Sequence, residues 1–271
     1  MRRQLRLRGQ PPKGSRGPPS VCGPGGRSAA CRTLPEGDPK AAARARNRPK
    51  PPEGRKTAKH PPIRPKTGFA MTILPLSYLP SVEWFAHALR GDCLVDLGEH
   101  FVKRSERNRA RILAADGPMT LTAQVAHADR PRQPMPTVRL DYSKRWQHQH
   151  WGALVASYKA SPYFDHYAPA LEPFYRREGA FATLAEWNLA LVETLCGLLR
   201  MPPPALSERY VEAAAGDVDL RPRHSEGPAF RAEPYVQVFC DRQPFAANLS
   251  VIDLLFAEGP AAVSILRRSL P

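Results

Sequence analysis

Apolar positions along residues 71–271 fall into short runs with two different spacings, and the spacings assign the elements. Thr72 to Leu74 is a brief apolar run, and Pro75 and Pro80 then bracket a turn. Val82, Phe85, Ala86 and Leu89 recur at helical spacing behind Ser81, a residue suited to an N-cap. Cys93-Leu-Val-Asp-Leu reads as a buried strand closed by Gly98, so the segment opens strand–helix–strand. Met119 to Val125 and Thr137 to Tyr142 alternate with period two, as half-buried strands do, and the proline-rich stretch 127–136 between them reads as a loop.

The second half is helical. Gln147, Trp151, Leu154, Val155 and Tyr158 share one helix face. An aromatic-rich stretch from Pro162 to Arg177 is interrupted by Pro169 and Pro173. Thr183-Leu-Ala-Glu186 is a capping-box sequence, and it opens a helix with Leu184, Trp187, Leu191, Leu195 and Leu198 on one face, ending before Pro202. Pro202 to Pro204 reads as a linker, Tyr235 to Phe239 as an alternating strand, and Ser250-Val-Ile-Asp253 as a second capping box ahead of Leu254-Leu-Phe. A short amphipathic helix from Ala261 to Leu270 finishes the pattern. The expected class is α+β: one domain over 71–271, with a strand–helix–strand start, several short strands and a helical second half.

Charge changes the picture at residue 70. Residues 1–70 hold 18 Lys and Arg against 3 Asp and Glu, which is the whole of the chain's net charge of +15; the remainder is balanced. The same segment holds 13 of the 31 prolines and 9 of the 18 glycines with a single aromatic, Phe69. Such a composition buries too little apolar surface to offset its ordering entropy, and the expectation is disorder. It reads as a transit peptide, a nucleic-acid arm, a solvated extension, or sequence translated upstream of an alternative start at Met71; the prolines argue against an amphipathic transit helix. A neutral body gives no reason to expect nucleic acid as its partner. No run approaches the roughly 18 consecutive apolar residues of a membrane span, and the expected location is the cytosol. Five widely spaced cysteines without a CxxC pair argue against a disulfide framework or a zinc knuckle.

Three polar constellations stand out. In Glu99-His-Phe-Val-Lys-Arg-Ser-Glu-Arg-Asn-Arg-Ala-Arg111, an extended second half puts Arg107, Arg109 and Arg111 on one face and Asn108 on the other. That face either binds an anionic donor bidentately or is a solvated, charge-protected edge. In Trp146-Gln-His-Gln-His-Trp151, the His-x-His spacing is wrong for a helical metal pair, so no metal is expected. His150 lies near the apolar face, where it is either a general base tuned by its surroundings or a core histidine held by hydrogen bonds. Asn188, on the apolar face of the capped helix, either holds a neighbouring loop or faces a pocket. Asp253 has a structural task as the third residue of its box. No GxGxxG, P-loop, GxSxG or HExxH sequence occurs, and nothing names a cofactor.

These motifs resemble the WbqC-like family. The resemblance is carried by Leu74-Pro-Leu-Ser-Tyr-Leu-Pro80, by His100-Phe-Val-Lys-Arg-Ser-Glu-Arg-Asn108-Arg109, and by Trp146 to Trp151 followed by Tyr158-Lys-Ala-Ser-Pro-Tyr-Phe164. Tyr235 to Phe239 and Asn248-Leu-Ser-Val-Ile-Asp253 extend it, so that it spans 71–271 and none of the first seventy residues. It implies a bacterial cytoplasmic protein of surface-polysaccharide (O-antigen) synthesis, with acyl or aminoacyl transfer to an amino sugar as the activity. On that basis Arg107, Asn108, Arg109, Asn188 and Asn248 are expected to bind an anionic donor and a glycan acceptor, and His150 or His100 to take the proton. The alternative is a non-catalytic assembly module presenting Tyr163, Phe164, Tyr167, Phe174 and Tyr175 as an interaction surface.

Overall fold

A computed structural model describes residues 71–126, 132–222 and 230–270. The basic segment 1–70 and part of the loop expected over 127–136 lie outside the described residues. The strand–helix–strand start is present: β1 (Thr72–Pro75), α1 (Val82–Arg90) and β2 (Cys93–Asp96). Ser81 caps α1 by accepting from the Trp84 amide, and Gly91 ends it in the left-handed region at φ 87°, where a Cβ would be strained. β1 and β2 pair in parallel with Thr72 opposite Cys93. Two strands that no alternation announced complete the sheet. β5 (Ala205–Ser207), directly after the expected proline linker, adds beside β2, and β6 (Val218–Asp219) adds on the far side of β1. The order is β5-β2-β1-β6, all parallel. The chain thus builds outward from β1 to β2 to β5 and then crosses back to β1's other edge, which makes the gap between the ends of β1 and β6 a switch point.

β3 (Arg109–Ala114) and β4 (Gly117–Thr122) form a separate antiparallel hairpin, with Arg109 opposite Thr122 and Arg111 opposite Thr120. The helical half follows as α2 (Trp146–Tyr158), α3 (Phe164–Arg176) and α4 (Leu184–Leu198), and the chain closes with α5 (Val251–Glu258) and α6 (Ala262–Arg268). The class is α+β. α3 runs through both Pro169 and Pro173. Each interior proline costs roughly 3 kcal/mol, which is offset by burying Phe164, Tyr167, Ala168, Leu171 and Tyr175. The core centres on Trp187, fully buried and ringed by Trp146, Phe174, Tyr175 and Phe181 at centroid separations of 5.3 to 5.9 Å.

Two expected strands do not form. In place of Thr137–Tyr142 there is a 3-10 turn over Met135–Thr137 and isolated bridges at Arg139 and Leu140. Tyr235–Phe239 is irregular because its side chains, not its backbone ladder, hold it. Gln237 donates to the Ala246 carbonyl and accepts from the Ala246 amide, and Tyr235 donates to Asp253 at 2.6 Å. That last bond also undoes the second capping box. Ser250 makes no side-chain cap, while Thr183 and Glu186 form both halves of theirs. Asp253 is buried under Tyr235 and Gln237, and burial pushes its carboxyl up despite those donors.

Candidate functional site

A cleft of about 260 Å³ opens at the carboxyl ends of β1 and β6, at the switch point. The β1 loop supplies Tyr78 to Ser81, the first turn of α1 supplies Glu83 and Trp84, and the loop into β3 supplies Arg104 to Arg107. Arg109 and Arg111, two residues apart on β3, project into it from one strand face. Leu220 and Arg221 line it from the end of β6. The 248–250 segment is brought in by backbone pairing on both sides. Ser250 donates its amide to the Arg111 carbonyl, and Leu249 and Pro80 accept from Val82 and Val251.

Five arginines line this cleft, and they divide into two kinds. Arg107 is buried and paired with Glu99, and it also donates to the Arg221 carbonyl at 3.1 Å. Arg221 is buried and paired with Asp96 and Asp219, its guanidinium 4.6 Å from the centre of the Tyr210 ring. Burial raises the Asp219 carboxyl and the Arg221 hydrogen bonds lower it; the donors prevail, and it sits below the usual carboxylate range. These two cations are neutralised and fixed. Arg104, Arg109 and Arg111 form no ion pair among the described residues. An anion in the cleft would meet three guanidiniums that no described carboxylate pairs with.

Two further observations single out the same place. Of the non-glycine residues with positive φ, Leu79 (42°), Arg104 (59°) and Asn248 (52°) all line the cleft, and backbone strain concentrates at working sites. Three of the twelve buried polar atoms that lack a hydrogen-bond partner among the described residues belong to its lining: Ser250 Oγ, Arg107 Nε and Arg109 Nε. The amides of the first turn of α1, by contrast, are taken. Leu249 O accepts from Val82, Asn248 Oδ1 from Glu83, and Ser81 Oγ from Trp84. Anion binding therefore falls to the arginines and not to the helix end.

The residues expected to form a site divide between this cleft and its surroundings. Arg107, Arg109 and Asn248 line it. Asn108 lines a neighbouring cavity of about 190 Å³, walled off by Arg104 and Arg109, which border both; its amide donates to the Ala123 carbonyl at 3.1 Å. Asn188 is fully buried behind the cleft. It donates to the carbonyls of Leu76 (3.3 Å) and Arg107 (2.7 Å), pinning two of the loops that make the walls. His150 does not reach the cleft. It is buried between Tyr78 and Trp146, with the Tyr78 hydroxyl 2.9 Å from its Nδ1, and burial lowers it from 6.5 to about 4. His100 is exposed, bridged to Pro134, and lines neither cavity. Glu83, Arg104, Arg221 and Ser250 carried no signal of their own as site residues; Glu83 reads in sequence as an ordinary first-turn acid.

No group of three or more His, Cys, Asp or Glu side chains placed to hold a metal occurs among the described residues. Nor is any helix among them long and apolar enough to cross a membrane.

The WbqC-like family model matches residues 77–221. The chain belongs to the WbqC-like protein family. The matched span contains the β1 loop, the whole arginine run and the Arg221 end of the cleft, and it leaves Asn248 and Ser250 outside. It is shorter than the 71–271 over which the motifs resemble the family. No curated protein and no solved structure matches the chain.

Proposed function

We propose that this WbqC-like protein is a transferase of surface-polysaccharide synthesis that passes an acyl or aminoacyl group from an anionic, carrier-activated donor to an amino sugar. The observation that carries the reading is the set of three arginines without carboxylate partners facing one cleft at the strand carboxyl ends. In open parallel sheets that is where ligands bind, and planar guanidiniums match phosphate bidentately. Arg104, Arg109 and Arg111 hold the donor's anion. Arg107 and Arg221, already paired, keep the wall rigid, and Asn188 fixes the loops from behind. Asn108 orients the part of the donor that extends into the neighbouring cavity. His150, bonded to Tyr78, belongs to the core behind the cleft and takes no part in holding the donor.

The reaction is placed in the cytosol and the functional unit in residues 71–271. A protein begun at Met71 is expected to retain the activity, and its loss would give the basic segment a role. The assembly-module alternative is the weaker reading, because Phe164, Tyr167 and Tyr175 are buried and Phe174 is half-buried, which leaves Tyr163 alone of the five exposed.

The test is calorimetric titration with inorganic pyrophosphate alongside the composition of the surface glycan in cells carrying only the variant. Arg109→Ala is expected to weaken pyrophosphate binding about tenfold or more and to remove one acyl substituent from the glycan. Unchanged binding and unchanged glycan would end the proposal.

A further inference from the structure

Acyl transfer to an amine or hydroxyl needs a group that removes a proton, and neither histidine expected for that task lines the cleft. Among the side chains that do, the arginines stay protonated at all relevant pH and the serines are too weakly basic. The Tyr78 hydroxyl is already shared between His150 and Tyr175. Two carboxylates remain. Glu106 is exposed; Glu83 is 4% exposed and held. Asn248 grips Glu83 twice, donating from Nδ2 to Oε2 at 3.0 Å and accepting the Glu83 amide on Oδ1 at 3.0 Å. To do so, Asn248 sits at φ 52°, a left-handed backbone that asparagine tolerates better than most residues. Asn248 thereby reaches across from the 248–250 segment to fix a carboxylate that lines the same cleft as Arg104, Arg109 and Arg111.

We infer that Glu83 is the general base of this cleft, held in place by Asn248, and that it takes the proton from the acceptor's amine or hydroxyl. This rests on the transferase reading above. The acceptor nitrogen or oxygen attacks the donor's acyl carbon, and the new N–C or O–C bond forms. The bond from that carbon to the carrier's oxygen or sulfur breaks, and the electron pair leaves with the carrier, whose anionic part stays on Arg104, Arg109 and Arg111. The proton passes from the acceptor to Glu83 and from Glu83 to the departing carrier atom, so the products are the acylated sugar and the protonated carrier. A preorganised carboxylate beside a cationic anchor puts the nucleophile and the leaving group on adjacent walls of one cleft.

Glu83→Gln keeps the shape and can still accept from Asn248. It is expected to leave pyrophosphate affinity within about threefold of the parent while lowering glycan acylation in cells by a hundredfold or more, roughly the weight of a general base. Acylation within threefold of the parent, where Arg109→Ala abolishes it, overturns the base and spares the cleft. Acylation unaffected by both variants overturns the cleft reading and the base together. Should Glu83→Gln not fold, Glu83→Asp decides in its place. Drawing the carboxylate back by one methylene is expected to cost about tenfold or more, and undiminished acylation refutes the assignment.

Discussion

The cluster around His150 and the cleft around Arg109 are both dense in polar groups and aromatics, yet they have been resolved in opposite ways. At His150 the polar atoms find one another. Tyr78 links to His150 and to the Tyr175 hydroxyl at 3.0 Å; the Tyr78 and His150 rings stack on each other, with Trp146 edge-on to His150 and Trp187 tilted against Tyr78. Trp187 Nε1 is the buried donor there that finds no partner among the described residues, and burial lowers the imidazole to about 4. In the cleft, two of five arginines are neutralised and three form no ion pair among the described residues, buried nitrogens lack partners there, and the backbone carries strain. A polar cluster that satisfies itself is architecture, whereas one that leaves charges without partners beside a cavity is prepared for something else. Tyr78 joins the two, lining the cleft while its hydroxyl anchors the core.

The comparison breaks most visibly under acid. His150 and His87 both lie near a pKa of about 4 in the folded chain, lowered by burial, with Arg90 contributing at His87, against an ordinary 6.5. Both are neutral when folded and take up protons on unfolding. Stability is therefore intact above about pH 6.5 and falls as the pH drops, the loss approaching about 3 kcal/mol at His150, and less at the less deeply buried His87, near pH 4. Melting curves from pH 7 to 4 check this, and His150→Asn should remove its share of the slope while leaving pyrophosphate affinity at pH 7 unchanged. A loss of affinity in that variant would falsify the separation of core from cleft.

The converse experiment is the double variant Arg109→Ala with Arg111→Ala. Two charge-assisted contacts are worth about 3 kcal/mol together, or roughly a hundredfold in pyrophosphate affinity, with stability within about 0.5 kcal/mol of the parent. Titration and melting on the same sample decide it. Tyr78→Phe is a smaller, mixed case. It strands the His150 and Tyr175 partners and is expected to cost about 2 kcal/mol by chemical denaturation, with pyrophosphate affinity untouched. The smallest pair sets one capping box against the other. Thr183→Ala should cost about 1 kcal/mol, because both halves of that box are made, while Ser250→Ala should change stability by under about 0.5 kcal/mol, because Ser250 caps nothing.

Elements held by their own residues were legible. α1 and α4 carry apolar faces at helical spacing and side-chain caps, and the opening β1–α1–β2 unit is local in sequence. β5 and β6 were invisible because three and two residues are too short to show a period; they are strands only because β2 and β1 offer them a paired edge. Tyr235–Phe239 failed in the reverse direction. Its alternation is real, but its polar side chains bind Asp253 and Ala246 and no ladder is made there. The arginine run was visible as a candidate anion face, and which of its members are free was not. Arg107 is cancelled by Glu99, eight residues away, and Arg221 by Asp96, 125 residues away.

By itself, then, the sequence determined the α+β class, the best helices, the balanced charge of residues 71–271 and the arginine-rich segment that walls the cleft, since each follows from spacing or composition over a few turns of chain. The tertiary structure alone decided that His150 is sealed and neutral, that Asn188 ties loops together, and that Glu83, Asn248 and three unneutralised arginines share one opening. Those outcomes depend on which charges and hydrogen-bond partners arrive from distant parts of the chain. Charge cancellation is pairwise and short-ranged, and only folding chooses the pairs.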